Sequence, residues 1–370
     1  MPSLGLRRQI GTVGLVFLFV VYIGVSTVPQ PGFGVYGMLA TIIAYVAIFP
    51  ALSVSKVEWR GIREPALFGF AFAMLVVVSY PFWSAEIDVR DPISVILYFV
   101  LIPITIIAFS ETKRSLQGVV YKAAILLFVV FFGLALVDFI RNGIGLNQAH
   151  FYFHNKNTAG LFFEVIYCYV LFESRGRSAL FTAIVIVAGM FTLLAIMSKT
   201  AIAFCLVFTA GYISVWLFFV TAAVLAVAGV IITVGFVEIE ELATAYQRWL
   251  LWQQAVSETA SSWGTLLLGN GPGVFQYTGE NFRGLYGQQG VHNYYLRFAH
   301  SYGILALILF AGYLFWIWRT FGLFTSGAAA AFWVFSAHAL FDVGWVTGPG
   351  FLASLMLGLL LAHRIEGYGS

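Results

Sequence analysis

Residues 201–236 run on without one charged side chain. A helix of about 20 apolar residues crosses roughly 30 Å of hydrocarbon, so this stretch alone holds two such helices. Comparable runs recur near 10–28, 33–54, 66–83, 93–109, 118–140, 157–173, 179–197, 294–317, 327–344 and 347–362. In hydrocarbon only helices and closed barrels satisfy their own backbone, and the alternation of a barrel strand is missing here. The expectation is an all-α, polytopic membrane bundle of about 12 transmembrane helices. Composition agrees: 61% of residues are apolar and 9% charged, with a mean hydropathy of +0.93. Soluble domains run near ~25% charged. Cys168 and Cys205 fall inside apolar runs and read as small buried hydrophobes rather than as a disulfide or metal framework. The tight turn that divides 201–236 is expected near Trp216–Thr221, from length alone.

One interruption is long. Residues 237–293 form a loop in an otherwise single integral domain, 1–370, with no internal repeat or linker. A loop of this length is functional or disordered, and its tryptophans, tyrosines and leucines argue against a disordered tether. Summing Lys and Arg loop by loop puts the short basic loops (Arg60, Arg63, Lys113, Arg114, Arg175, Arg177) on the cytoplasmic side. Both termini are then cytoplasmic and the long loop faces outward.

The basic residues that break this bias gather in outward loops. His154, Asn155, Lys156 and Asn157 stand at the mouth of a span. There the N-terminal amides favour an anion, while the plainer reading is an Asn cap with Lys156 reaching the headgroups. Lys199, between two apolar spans, is either an interfacial anchor or a point charge for phosphate. In the long loop Leu242, Ala245, Trp249, Trp252 and Val256 recur at helical spacing. They predict an amphipathic helix lying on the membrane, with Trp249, Trp252 and Trp263 at headgroup depth. Arg248 on that helix needs an anionic partner or the interface itself. Arg283 adds a further cation. The turn Gly269-Asn270-Gly271-Pro272-Gly273 lacks a nucleotide-binding signature. It is either a plain turn or one whose amides, at Gly271 and Gly273 among them, help hold phosphate. His292 is the candidate general base near neutral pH, and Asn293 the cap of the span that follows. No cofactor, metal cluster or nucleic-acid signature accompanies these residues.

The ordered set FHNKNTAG (153–160), MSKTA (197–201), QRWLLW (247–252), LGNGPGVF (268–275) and HNYYL with a following glycine (292–303) resembles the O-antigen ligase and O-antigen polymerase superfamily, which includes exopolysaccharide polymerases. The resemblance implies a C-type glycosyltransferase of the bacterial inner membrane. Its donor would be a glycan on undecaprenyl pyrophosphate, used at the periplasmic face without a metal. The acceptor would be another glycan chain or lipid A core. It further implies that His292 activates the acceptor hydroxyl and that Arg248 holds the pyrophosphate. Two departures stand out. Lys199 occupies a place where many members carry Arg, and His300-Ser301-Tyr302 precedes Gly303 where many carry an acid.

The expected function is therefore a periplasm-facing glycan ligase or polymerase. The rival is a transporter or lipid-glycan flippase, which would use ionisable residues inside the spans. Lys122, Asp138 and Glu164 are the ones available. Topology tests both. Reporter fusions at Arg60, Arg114 and Arg175 are expected to report cytoplasm, and fusions at Gln148 and Gly279 periplasm; a cytoplasmic signal at Gly279 would put the loop on the wrong side of the donor.

Overall fold

The computed structural model describes residues 59–83, 88, 90–109, 113–142, 156–235, 243–279, 284–287, 290–342 and 348–367. The two spans expected at 10–28 and 33–54, together with His154, Asn155 and Arg283, lie outside the described residues. The described chain is all-α, without a strand. Its helices are α1 (Trp59–Ser79), α2 (Arg90–Ile96), α3 (Ile102–Phe109), α4 (Lys113–Asn142), α5 (Lys156–Glu173), α6 (Ala179–Ile196), α7 (Lys199–Ile213), α8 (Val215–Gly235), α9 (Ala243–Thr259), α10 (Trp263–Leu268), α11 (Tyr294–Phe321), α12 (Gly327–His338) and α13 (Gly348–Gly367).

Among the described residues four helical stretches are long and apolar enough to cross a membrane: Arg63–Phe82, Gln117–Arg141, Ala179–Ile196 and Tyr294–Phe321. Shorter apolar helices accompany them at Asp91–Ile104, Lys199–Ile213, Val215–Val227 and Gly350–Ala362. Phe70, Leu126, Ile184, Val187 and Ile308 are each more than half exposed on the outer faces. A surface this apolar suits hydrocarbon and not water.

The core is organised on α5, whose residues from Ala159 to Phe172 are all buried. A helix that is apolar all round belongs in the middle of its bundle. Small residues let its neighbours approach: Gly189 of α6 lies against the Tyr167 ring, Gly160 backs onto Ser198 at the head of α7, and the buried run Ala328–Ala331 of α12 packs alongside. The ends of α5 define the two ends of the bundle. At its C-terminal end, Glu173 Oε1 accepts from the Gly327 amide at 2.9 Å, and the Arg175 guanidinium stacks 4.8 Å over Phe172. At the other end lie the starts of α5, α7 and α11 and the end of α12.

Helix breaks fall where the sequence removes a donor or offers a competing one. Pro103 has no N–H for the Phe99 carbonyl. A π-turn at Leu97–Leu101 absorbs the mismatch, and the Tyr313 hydroxyl donates to Phe99 O at 3.2 Å instead. The division of 201–236 falls at Ser214, whose extended backbone (φ −160°, ψ 139°) corrects the expected position near Trp216–Thr221. Ser214 is the short polar residue of that region, and its hydroxyl accepts from the Trp216 amide at 3.3 Å to start α8.

The largest break is inside α11, at Gly303 (φ 79°, ψ 175°). It frees the carbonyls of His300 and Ser301, and these accept from the amides of Asn270 (2.8 Å) and Gly271 (3.1 Å). The turn after α10 thus docks backbone to backbone on the kink. A Cβ on Gly303 would strike the Leu267 carbonyl, and one on Gly269 the Ser301 carbonyl. Gly303→Ala therefore combines a left-handed φ, worth roughly 1–2 kcal/mol, with a backbone collision. It is expected to lower the melting temperature of the purified protein in detergent well beyond Gly312→Ala. Gly312 lies on the same helix with open space around it, so that change is expected to stay within about 1 kcal/mol of neutral.

Candidate functional site

The long loop builds its own small core from Leu251, Ala255, Phe275, Tyr277, Leu285 and Val291. That core decides which face of α9 turns inward. Leu251 and Ala255 are buried, with Arg248 and Trp252 half-buried on the same side, whereas Trp249, Val256 and Trp263 are exposed. The stripe expected from spacing is therefore rotated. Trp249 and Trp263 stay at the surface, but Trp252 turns inward, donating from Nε1 to Val291 O at 3.0 Å, with its ring 6.0 Å from Phe341.

His292 follows Val291 directly. Its backbone is left-handed (φ 50°), a conformation that a residue with a Cβ adopts at a cost. Asn293 then starts α11, its Oδ1 accepting from the Leu296 amide at 3.0 Å. The imidazole is thus fixed between a buried residue and a helix cap. The next segment of the site comes from beyond α12. The Tyr294 amide donates to Ala339 O at 2.8 Å, which brings Asp342 within electrostatic reach of His292 and Arg248.

Arg248, His292 and Asp342 form one cluster of charge. Burial pushes the His292 imidazole below its ordinary value; Asp342 opposes that shift and Arg248 adds to it. Burial also pulls the Arg248 guanidinium down, again opposed by Asp342. Arg248 starts so high that it stays charged. Among the described residues neither the guanidinium nor the imidazole closes a hydrogen bond. The cluster offers a neutral imidazole able to take a proton, a fork of N–H donors for an anion, and a carboxylate that tempers both.

The other expected residues divide into two groups. Lys156 and Asn157 start α5 and Lys199 starts α7. Both helix starts lie at the cluster's end of the bundle, joined by the Gly160–Ser198 contact and by Phe204, whose ring is 6.0 Å from Phe341. Gly271 and Gly273 do not join them. The Gly271 amide is taken by Ser301 O, Trp83 packs on Gly271, and Gly273 faces Asp88. That turn sits at the far end of α9, where Glu258 Oε2 meets His300 Nε2 at 2.8 Å. Ten residues of helix separate Glu258 from Arg248, about 15 Å. His300, standing where an acid was expected, thus pairs with an acid from another helix. Nearby Arg297 meets Asp91 at 3.3 Å.

Asp342 was not among the candidates. Its signal was available: it lies inside the run 327–344 read as a span, and an ionisable side chain there flags a site. Among the described residues no three His, Cys, Asp or Glu side chains converge as a metal site requires. Compared with known proteins, the chain matches no family profile and no curated sequence.

If Asp342 holds the imidazole up, Asp342→Asn is expected to move the His292 titration midpoint to lower pH, by up to about one pH unit. Diethyl pyrocarbonate modifies neutral imidazole, so its rate at the peptide carrying His292, followed by mass spectrometry against pH, reads that midpoint without any assay of activity. An unchanged midpoint would remove Asp342 from the cluster.

Proposed function

We propose that the chain is a membrane-embedded glycosyltransferase, a glycan ligase or polymerase. It moves a glycan from undecaprenyl pyrophosphate to a sugar hydroxyl at the periplasmic face of the bacterial inner membrane. The observation that carries the reading is the half-buried cluster of Arg248, His292 and Asp342, set where the starts of α5 and α7 bring Lys156 and Lys199 to the same end. A base among cations suits a reaction whose nucleophile must lose a proton and whose leaving group gains negative charge.

In this reading His292 takes the proton of the acceptor hydroxyl. The oxygen bonds to the anomeric carbon, the anomeric carbon–oxygen bond to pyrophosphate breaks, and the configuration inverts. The electron pair leaves on undecaprenyl pyrophosphate, held by Arg248 with Lys199 and Arg283. Preorganised charge of this kind is the largest single contribution in many such sites. Lys156 and Asn157 line the donor's approach at the membrane surface, and the sequence adds His154 and Asn155 as candidates for donor binding. Asn293 serves by capping α11 behind the base.

One observation favours a second reading, transport or flipping of a lipid-linked glycan: Glu164 is fully buried in α5 and bonded to His338. Ionisable groups at such depth mark transport routes in many membrane proteins. Purified protein in liposomes with a lipid-linked glycan separates the two. Transfer releases undecaprenyl pyrophosphate, whereas flipping moves the donor across the bilayer unchanged.

Arg248→Lys is expected to lose on the order of 10²-fold in turnover, the scale of one lost oxyanion donor, because an ammonium lacks the two parallel N–H bonds. Lys199→Arg is expected to be tolerated. His292→Ala is expected to slow transfer by about 10²–10⁴-fold with donor binding retained. If His292→Gln keeps most of the activity, the residue is a hydrogen-bond donor and not a base. The wild-type rate is expected to fall as pH drops, since the protonated ring cannot accept a proton. Because burial lowers the His292 value, that fall is expected below the ordinary midpoint of about 6.5.

A further inference from the structure

Glu164 and His338 are not used by the chemistry above, and burial makes them expensive. Glu164 is fully enclosed on α5, and His338, the last residue of α12, is 1% exposed. Glu164 Oε2 lies 2.8 Å from His338 Nδ1, and Glu164 Oε1 has no partner among the described residues. Buried pairs of this kind rarely add net stability over well-packed apolar side chains. The α5–α12 contact does not depend on one for packing, because Gly327 and Ala328–Ala331 already bring the two helices together.

What the pair does have is a place. His338 ends α12, and the chain turns immediately after it: the Phe341 amide donates to His338 O at 2.8 Å, and Asp342 follows. On its other side the same helix end is held by α11. The Tyr294 amide donates to Ala339 O, and the Tyr295 hydroxyl to Ser336 O at 2.8 Å. His292 lies two residues before Tyr294, and Asp342 three after Ala339. The end of α12 is thus pinned from α5 by a side-chain bond and from α11 by the segment that carries the base. Where that end sits decides how far Asp342 stands from His292.

We propose that Glu164 and His338 are positioning residues: their hydrogen bond fixes the end of α12 and so sets the distance of the Asp342 carboxylate from His292 and Arg248. The charged and titratable groups facing His292 are Asp342 and, from α9, Arg248. Those facing His338 are Glu164, Asp342 and Arg248. Around Glu164 stand Cys168 of its own helix and Asp342, with Cys205 of α7 beside Cys168. If the pin is cut, Asp342 drifts and its charge no longer supports the imidazole. The His292 midpoint then falls in the direction that removing Asp342 itself gives. The role rests on the cluster's geometry; only its effect on turnover rests on the glycosyltransferase reading.

The test uses the full-length protein in detergent and reads His292 by diethyl pyrocarbonate at peptide resolution. Glu164→Leu and His338→Leu each remove the bond, and each is expected to lower the midpoint by part of the shift seen in Asp342→Asn. Glu164→Gln keeps a side chain that both donates and accepts, and His338→Asn places an amide near Nδ1. Both are expected to hold the wild-type midpoint. In an Asp342→Asn background, Glu164→Leu is expected to add nothing further, since residues acting through one another are not additive. A folded Glu164→Leu or His338→Leu protein with the wild-type midpoint overturns the proposal. So does a shift that persists undiminished in the Asp342→Asn background, or a shift in Glu164→Gln and His338→Asn as large as in the leucine variants. In liposomes supplied with lipid-linked glycan, Glu164→Leu is expected to lower kcat about tenfold with KM for the donor held, as loss of an orienting partner does. Absence of any transfer by the wild type would sink the glycosyltransferase reading and leave the midpoint test standing.

Discussion

A backbone carbonyl that loses its helical partner inside hydrocarbon has no water to turn to. Much of this fold follows from how the chain meets that constraint. At Pro103 the missing N–H is replaced by the Tyr313 hydroxyl on Phe99 O. At Gly303 two carbonyls are freed together, and the turn after α10 supplies Asn270 and Gly271 amides to both. The second case has consequences for the site. It ties the loop to α11 by main-chain bonds, and the small core around Leu251 and Val291 then fixes α9 in rotation. Arg248 and His292 lie on either side of that small core in sequence, Arg248 three residues before Leu251 and His292 directly after Val291.

The cluster itself balances two opposed demands. A base has to be neutral at working pH, and a half-buried imidazole beside a guanidinium is pushed that way. Pushed too far, it would no longer take a proton. Asp342 limits the shift, and it does the same for Arg248. One carboxylate therefore opposes the effect of burial on both the imidazole and the guanidinium.

Helices were legible in the sequence because runs without charge leave the backbone no other solution, and α4, α6 and α11 fall close to the expected spans. Arg248 and His292 were legible as candidates because cations and histidines are costly beside hydrocarbon. Their convergence was not, since it depends on long-range contacts such as Trp252 to Val291. The rotation of α9 was misread for a related reason. Its stripe of tryptophans is apolar on more than one side, and the core around Leu251 and Ala255 chose between them. Gly271 and Gly273 were open to two readings, a plain turn or a phosphate-holding one, because close backbone approach and phosphate binding ask for the same residue. The kink at Gly303 takes up the Gly271 amide. Asp342 and His338 were passed over although they stand inside a run read as a span, where an ionisable side chain is itself a signal.

The central helix links these features. α5 reaches α12 with two carboxylates about 13 Å apart along its axis, nine residues at the helical rise. At one end Glu173 accepts from the first amide of α12, where a helix N-terminus favours negative charge. At the other, Glu164 bonds His338 at the helix's last residue. A helix of twelve residues held at both ends by one neighbour and packed on it through alanines has little freedom to slide. Its two ends are held by the same neighbour, at Glu173 and at Glu164. The buried acid on α5 then needs no separate route or ligand to account for it. It holds the end of α12, four residues before Asp342.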